Sequence, residues 1–128
     1  MSVTKIEFEE KERAVELPGG EILDLPQRTK GINDKLQELE KKRVNMNEFD
    51  FLAESLTTIF GKEGFKKIAP NGNKENLDYL SKVYRVSVNL IFADKLEAEA
   101  EEIERNFERL DPILDKTKAV QPLLKVPK

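Results

Sequence analysis

Apolar residues near the start of the chain recur at every second position. Ile6 and Phe8 alternate with Lys5, Glu7 and Glu9, Val15 and Leu17 precede Pro18-Gly19-Gly20, and Leu23 and Leu25 follow before Pro26. Period 2 around a Pro-Gly-Gly turn predicts a small antiparallel β-ribbon over about residues 4–25. Two or three strands alone are marginal in water, so the ribbon must lie against another element.

From Lys30 to Val44 the spacing changes. Ile32, Leu36 and Leu39 recur at three and four residues among Asp, Glu, Lys, Gln and Arg, which predicts a helix with a narrow apolar stripe. Asn47 is suited to cap a second helix with Asp50 in its first turn, and Phe49, Leu52, Leu56, Ile59 and Phe60 give that helix a richer face. Gly61 is its natural stop. Phe65–Ala69 reads as one or two further helical turns, Pro70-Asn71-Gly72-Asn73 as a turn, and Asn73 or Asn76 as the next cap.

Lys74 to Leu110 contains neither Gly nor Pro. Leu77, Leu80, Tyr84, Val88 and Ile91, then Ala93, Leu96, Ala100, Ile103, Phe107 and Leu110, keep helical spacing, so the stretch reads as one long helix or two nearly continuous ones. A single helix of this length would span roughly 55 Å. Tyr84, Val86, Val88, Leu90 and Phe92 also alternate strictly, which leaves a strand over 84–92 as the competing assignment, with helix preferred. Residues 113–128 carry prolines and lysines in place of an apolar pattern and read as a flexible basic tail. The expected fold is therefore mainly α: a single helical domain over 1–112 with a small N-terminal antiparallel β-ribbon and a long C-terminal helix.

The composition narrows the chemistry. The 128 residues include no Cys, His or Trp, which removes disulfides, thiolate nucleophiles, Cys-type zinc sites and the commonest general base and metal ligand. Ser2, Ser55, Ser81 and Ser87 lack a His to activate them, and the Ser-x-x-Lys spacing of Ser2-Val3-Thr4-Lys5 has no Ser-Asp-Asn or Lys-Thr-Gly motif to accompany it, so no catalytic constellation is recognised. A formal net charge of -3 with both signs mixed argues against a general nucleic-acid binder. The start of the chain does not resemble a signal peptide, and no window approaches a bilayer-spanning apolar run, so the expected compartment is the cytoplasm, without membrane association.

Three local features deserve weighing. Ile59-Phe60-Gly61-Lys62-Glu63-Gly64-Phe65-Lys66-Lys67-Ile68 resembles the signature of KH domains, whose GXXG loop clamps a nucleic-acid backbone. That resemblance would make Gly61, Lys62, Gly64, Lys66 and Lys67 a nucleic-acid loop, but Glu63 lies inside it, and the reading requires a strand over Tyr84–Phe92. The simpler reading is a helix-ending glycine followed by another turn. Glu97, Glu99, Glu101, Glu102, Glu104 and Glu108 could offer oxygen ligands to a hard cation, yet they match neither the di-iron nor the EF-hand pattern and read better as a solvated helix face, with Arg105 as an i,i+4 partner of Glu101. No cofactor or metal is expected. The stripe Leu96, Ala100, Ile103, Phe107 and Leu110 is either the core face of a helix folding back on its neighbours or a surface for another protein.

The order of these segments, with Leu23-Asp24-Leu25 closing the ribbon, Leu56–Ile68 in the helical body and Asn76-Leu77-Asp78-Tyr79-Leu80-Ser81-Lys82-Val83-Tyr84 after it, resembles the tail assembly chaperones of long-tailed phages and prophages of Gram-positive bacteria. The resemblance covers roughly Ile22 to Phe92. It implies a non-enzymatic protein that binds the helical tape measure protein, with the tail-tube protein as a further partner and a homo-oligomeric state. The readings from other classes are the KH-like module and a homo-oligomeric structural subunit.

Overall fold

A computed structural model describes residues 2–109, with side chains from 2 to 106. The protein is mainly helical, with a small two-stranded antiparallel sheet near the N-terminus. The strands are β1 (Ala14–Glu16) and β2 (Ile22–Asp24), and the helices are α1 (Lys30–Lys42), α2 (Glu48–Ile68), α3 (Leu77–Ile91) and α4 (Ala93–Arg109). The described residues fall into two units, with the boundary between Phe92 and Ala93. The sequence reading placed its only boundary later, at 112, and the tail that follows lies outside the described residues.

The ribbon is shorter than its alternation suggests. β1 and β2 pair in the register Ala14 to Asp24, Val15 to Leu23 and Glu16 to Ile22, so Val15 and Leu23 share the inward face. The turn closes with Gly20 N–H donating to Leu17 O at 2.8 Å, and Gly20 has a positive φ of 93°. Residues 2–13 belong to no strand, and Ile6 and Phe8 are 90% and 82% exposed. Alternation alone does not make a strand: it needs a neighbouring edge, and Glu9–Arg13 contains no turn residue to bring the segment back beside β1.

The helix starts follow capping chemistry. Thr29 Oγ1 accepts from Ile32 N–H at 3.3 Å, Asn47 Oδ1 from Phe49 and Asp50 N–H at 2.8 and 3.4 Å, and Asn76 Oδ1 from Asp78 and Tyr79 N–H at 2.8 and 3.1 Å. In α2 the chain leaves helical geometry at Gly61, with φ 77° and ψ 172°, and resumes at once, so α2 is two helical pieces joined by a kink. The first piece stops at Gly61 as expected, and the second contains the anticipated turns over Phe65–Ile68.

Tyr84–Ile91 is helical, within α3. Leu80, Tyr84, Ser87 and Ile91 are buried at spacings of three and four, so tertiary burial along one helical face decides between the two periodicities. α3 ends at Phe92, whose N–H donates to Val88 O at 3.0 Å. Of the two options for residues 74–110, the structure takes the pair of helices.

The core of the first unit is built where ribbon, α1, α2 and α3 converge. Leu17, Leu23, Leu39, Phe51, Leu52, Leu56, Leu80 and Tyr84 are buried in one cluster, and Leu25, Leu36, Ile59 and Ile91 in a second. The narrow stripe of α1 therefore serves both, through Leu39 and Leu36. Ser55 and Ser87 are fully buried on α2 and α3, and neither hydroxyl has a hydrogen-bond partner. Their small side chains suit positions closed to solvent on helices that pack into the core.

Candidate partner-binding surface

The apolar stripe of the C-terminal helix lies in the second unit. α4 carries Leu96, Ala100 and Ile103 at spacings of four and three, and all three are exposed, Leu96 by 51% and Ile103 by 55%. The surrounding Glu97, Glu99, Glu101, Glu102 and Glu104 are exposed as well, and Lys95 Nζ stands 3.5 Å from Glu99 Oε1 in an i,i+4 pair. Phe107 lies within α4 without a described side chain, and Leu110 lies outside the described residues. None of the described side chains of α4 is buried. The stripe thus stands as an apolar ridge on an acidic helix, the form that an amphipathic helix-binding partner reads.

The glycine loop is built differently from a nucleic-acid clamp. Gly61 is exposed, but Gly64 is buried, and a Cβ placed on it would lie 2.5 Å from Phe60 Cβ. A phosphate backbone therefore cannot approach Gly64 closely. Lys62, Lys66 and Lys67 are exposed, and Glu63 Oε1 stands 3.7 Å from Lys66 Nζ. The strand that the KH-like reading requires over Tyr84–Phe92 is replaced by α3, and the two strands among the described residues have three residues each. The fold and the loop both argue against that module.

A closed set of contacts outside the proposed sites fixes the first unit. Tyr84 Oη donates to Glu40 Oε1 at 2.9 Å, Arg43 donates to the same oxygen at 3.1 Å, and the Arg43 guanidinium lies 4.5 Å from the Phe51 ring centre. Phe51 meets Tyr84 edge-on with centroids 5.2 Å apart. Burial, aided by the hydrogen bond to Glu40, pushes the Tyr84 phenol well above its usual value. These four residues tie α1 and the turn after it to α2 and α3.

A groove that the sequence reading missed runs between β1 and α3. It has a volume of about 340 Å³ and is lined by Val15, Leu17, Tyr79, Val83 and Val86, with the charged Glu16 and Lys82 also in its wall. The i, i+3, i+4, i+7 spacing from Tyr79 to Val86 was the available signal. Among the described residues, no group of His, Cys, Asp or Glu could hold a metal ion, and no helix is long and apolar enough to cross a membrane.

Comparison with known proteins gave no matching family model, no matching curated protein and no matching solved structure.

Proposed function

We propose that this protein is a non-enzymatic assembly chaperone of the phage-tail type, which holds the tape measure protein through the C-terminal helix. The observation that carries the reading is the exposed apolar ridge of Leu96, Ala100 and Ile103 on α4, continued in sequence by Phe107 and Leu110. A long client with repeating apolar helical faces matches such a ridge. Helix-to-helix contact of modest area allows the later release that an assembly factor needs. The acidic residues flanking the ridge keep the helix solvated before the client arrives and favour clients with basic residues beside their apolar stripe. The compartment that fits this role is the host cytoplasm, with the tail-tube protein as a second partner.

The test is co-expression with tape measure fragments, comparing the wild-type chain with Leu96→Asp/Ile103→Asp. The expected outcome is loss of client solubility and co-purification with the far-UV circular dichroism of the chaperone unchanged. Full client protection by the double variant would remove the ridge as the client surface.

A further inference from the structure

Two features of the first unit match each other and remain unused by the fold. One is the N-terminal arm. Val3, Ile6 and Phe8 are 82%, 90% and 82% exposed, and Ile6 and Phe8 would lie on one face of an extended segment. The other is the outer edge of β1. Leu17 N–H donates to Glu21 O at 2.7 Å and Leu25 N–H to Arg13 O at 2.9 Å. These bonds turn the backbone groups of the odd-numbered residues toward β2. Antiparallel alternation therefore turns the N–H and C=O groups of Ala14 and Glu16 outward. The apolar groove of Val15, Leu17, Tyr79, Val83 and Val86 opens between β1 and α3.

We propose that two copies of this chain exchange arms: residues 4–9 of each add as a third strand to the free edge of β1 in the other, with Ile6 and Phe8 seated in the groove. Period-2 alternation supplies what edge addition needs, backbone pairing along the strand and a side chain for the groove at every second residue. The groove wall carries one residue of each sign, Glu16 and Lys82, and the arm carries both signs, Lys5 with Glu7 and Glu9, so Lys82 is a partner for an arm carboxylate and Glu16 for Lys5. The exchange also covers an edge that would otherwise remain open to indiscriminate pairing.

The course of the arm selects a second copy over the chain's own groove. Continuing the β1–β2 register sets Lys11 opposite Gln27, and Gln27 Nε2 donates to Lys11 O at 2.9 Å. This bond holds the chain in line with β1 as far as Lys11, beyond the end of the ribbon. Folding back would require a reversal within Glu9–Glu12, which has no Gly, Pro, Asn or Asp. The seven residues from Lys11 back to Thr4 extend roughly 23 Å, enough to reach a neighbouring molecule. Reciprocal exchange closes with two-fold symmetry and leaves neither arm unpaired.

The absence of native cysteine makes the test direct. Full-length chains carrying Phe8→Cys and Val86→Cys singly are mixed and oxidised, and sedimentation is measured for the wild type and for Ile6→Asp/Phe8→Asp. The expected results are a wild-type dimer and a disulfide joining Phe8→Cys of one chain to Val86→Cys of the other in preference to like pairs. The Ile6→Asp/Phe8→Asp chain should stay folded with unchanged far-UV circular dichroism and lose the concentration dependence of the wild-type melting temperature, with a dimer dissociation constant raised by at least roughly 100-fold. A wild-type monomer overturns the proposal, as does a dimer that survives Ile6→Asp/Phe8→Asp. A Phe8→Cys/Val86→Cys chain that closes its disulfide within one molecule also overturns it, showing that the arm covers its own edge.

Discussion

Tyr84 donates its hydroxyl proton to Glu40 across 44 positions of sequence, and the 2.9 Å bond ties α3 to α1. The ring is 8% exposed, whereas the Glu40 side chain is about half exposed, at 46%. The hydrogen bond therefore operates at the boundary of the core, where solvent weakens it, and Tyr84→Phe should cost about 1 kcal/mol. The pH dependence reports the buried phenol as a whole, its burial first and the Glu40 bond second. Burial and the Glu40 bond hold the Tyr84 phenol above its ordinary value of 10.0, so the unfolded chain loses that proton first. The stability associated with neutral Tyr84 is complete below pH 10 and declines as pH rises beyond it. Urea unfolding at neutral pH and above pH 10 should show the gap between wild type and Tyr84→Phe narrowing at high pH.

The glycines of the helices should respond in opposite directions. Gly61 has open space around it but sits at φ 77°, ψ 172°, so Gly61→Ala should destabilise by about 1–3 kcal/mol through backbone strain alone. Gly64→Ala should destabilise for a different reason, since its Cβ would stand 2.5 Å from Phe60 Cβ and force the two pieces of α2 apart. Gly31 lies exposed in the first turn of α1 with nothing near a Cβ, so Gly31→Ala should stabilise by about 0.4–1 kcal/mol. Thermal melts of the three variants provide the check.

What the sequence made legible was mostly local. The Asn47 cap, a cap at Asn73 or Asn76, a helix break at Gly61 and the helical faces of Leu36/Leu39 and Leu52/Leu56 depend on residues a few positions apart. Ile6 and Phe8 misled because a strand exists only beside another, and the partner edge is not encoded next to them. The break at Phe92 lacked a Gly or Pro to announce it, and Glu40 with Tyr84 had no local signal at all. The α4 ridge was visible as spacing, but the same spacing serves a buried face equally well; the exposure of Leu96 and Ile103 came only with the structure. The groove escaped because its walls come from residues 15–18 and 79–86.

Ser55 on α2 and Ser87 on α3 offer a separate test of core packing. Both are 0% exposed, and both hydroxyls lack a partner, so each retains a desolvation cost without the hydrogen bond that would offset it. Replacing either by Ala removes the cost and almost no packing, and should raise stability by up to about 1 kcal/mol. Ser87→Val adds volume at a fully buried position and should lower it by about 1–3 kcal/mol. Chemical denaturation of the two Ala variants and Ser87→Val would show whether the small side chain or the hydroxyl matters there.

The ridge on α4 and the core should be separable by mutation. Leu56 is fully buried in the main cluster, and Leu56→Ala should cost about 2–5 kcal/mol by removing apolar contacts and leaving a cavity. Leu96 and Ile103 belong to neither core cluster, and Asp at both positions leaves buried contacts of the first unit intact. The Leu96→Asp/Ile103→Asp chain should unfold at the wild-type midpoint while losing capture of tape measure fragments; Leu56→Ala should lower the midpoint yet retain capture below its own melting temperature. Parallel melting and co-purification measurements decide the matter. A matched loss of stability and capture in the Asp variant would mean that the ridge contributes to the folded core, and the chaperone surface would have to be sought elsewhere on the chain.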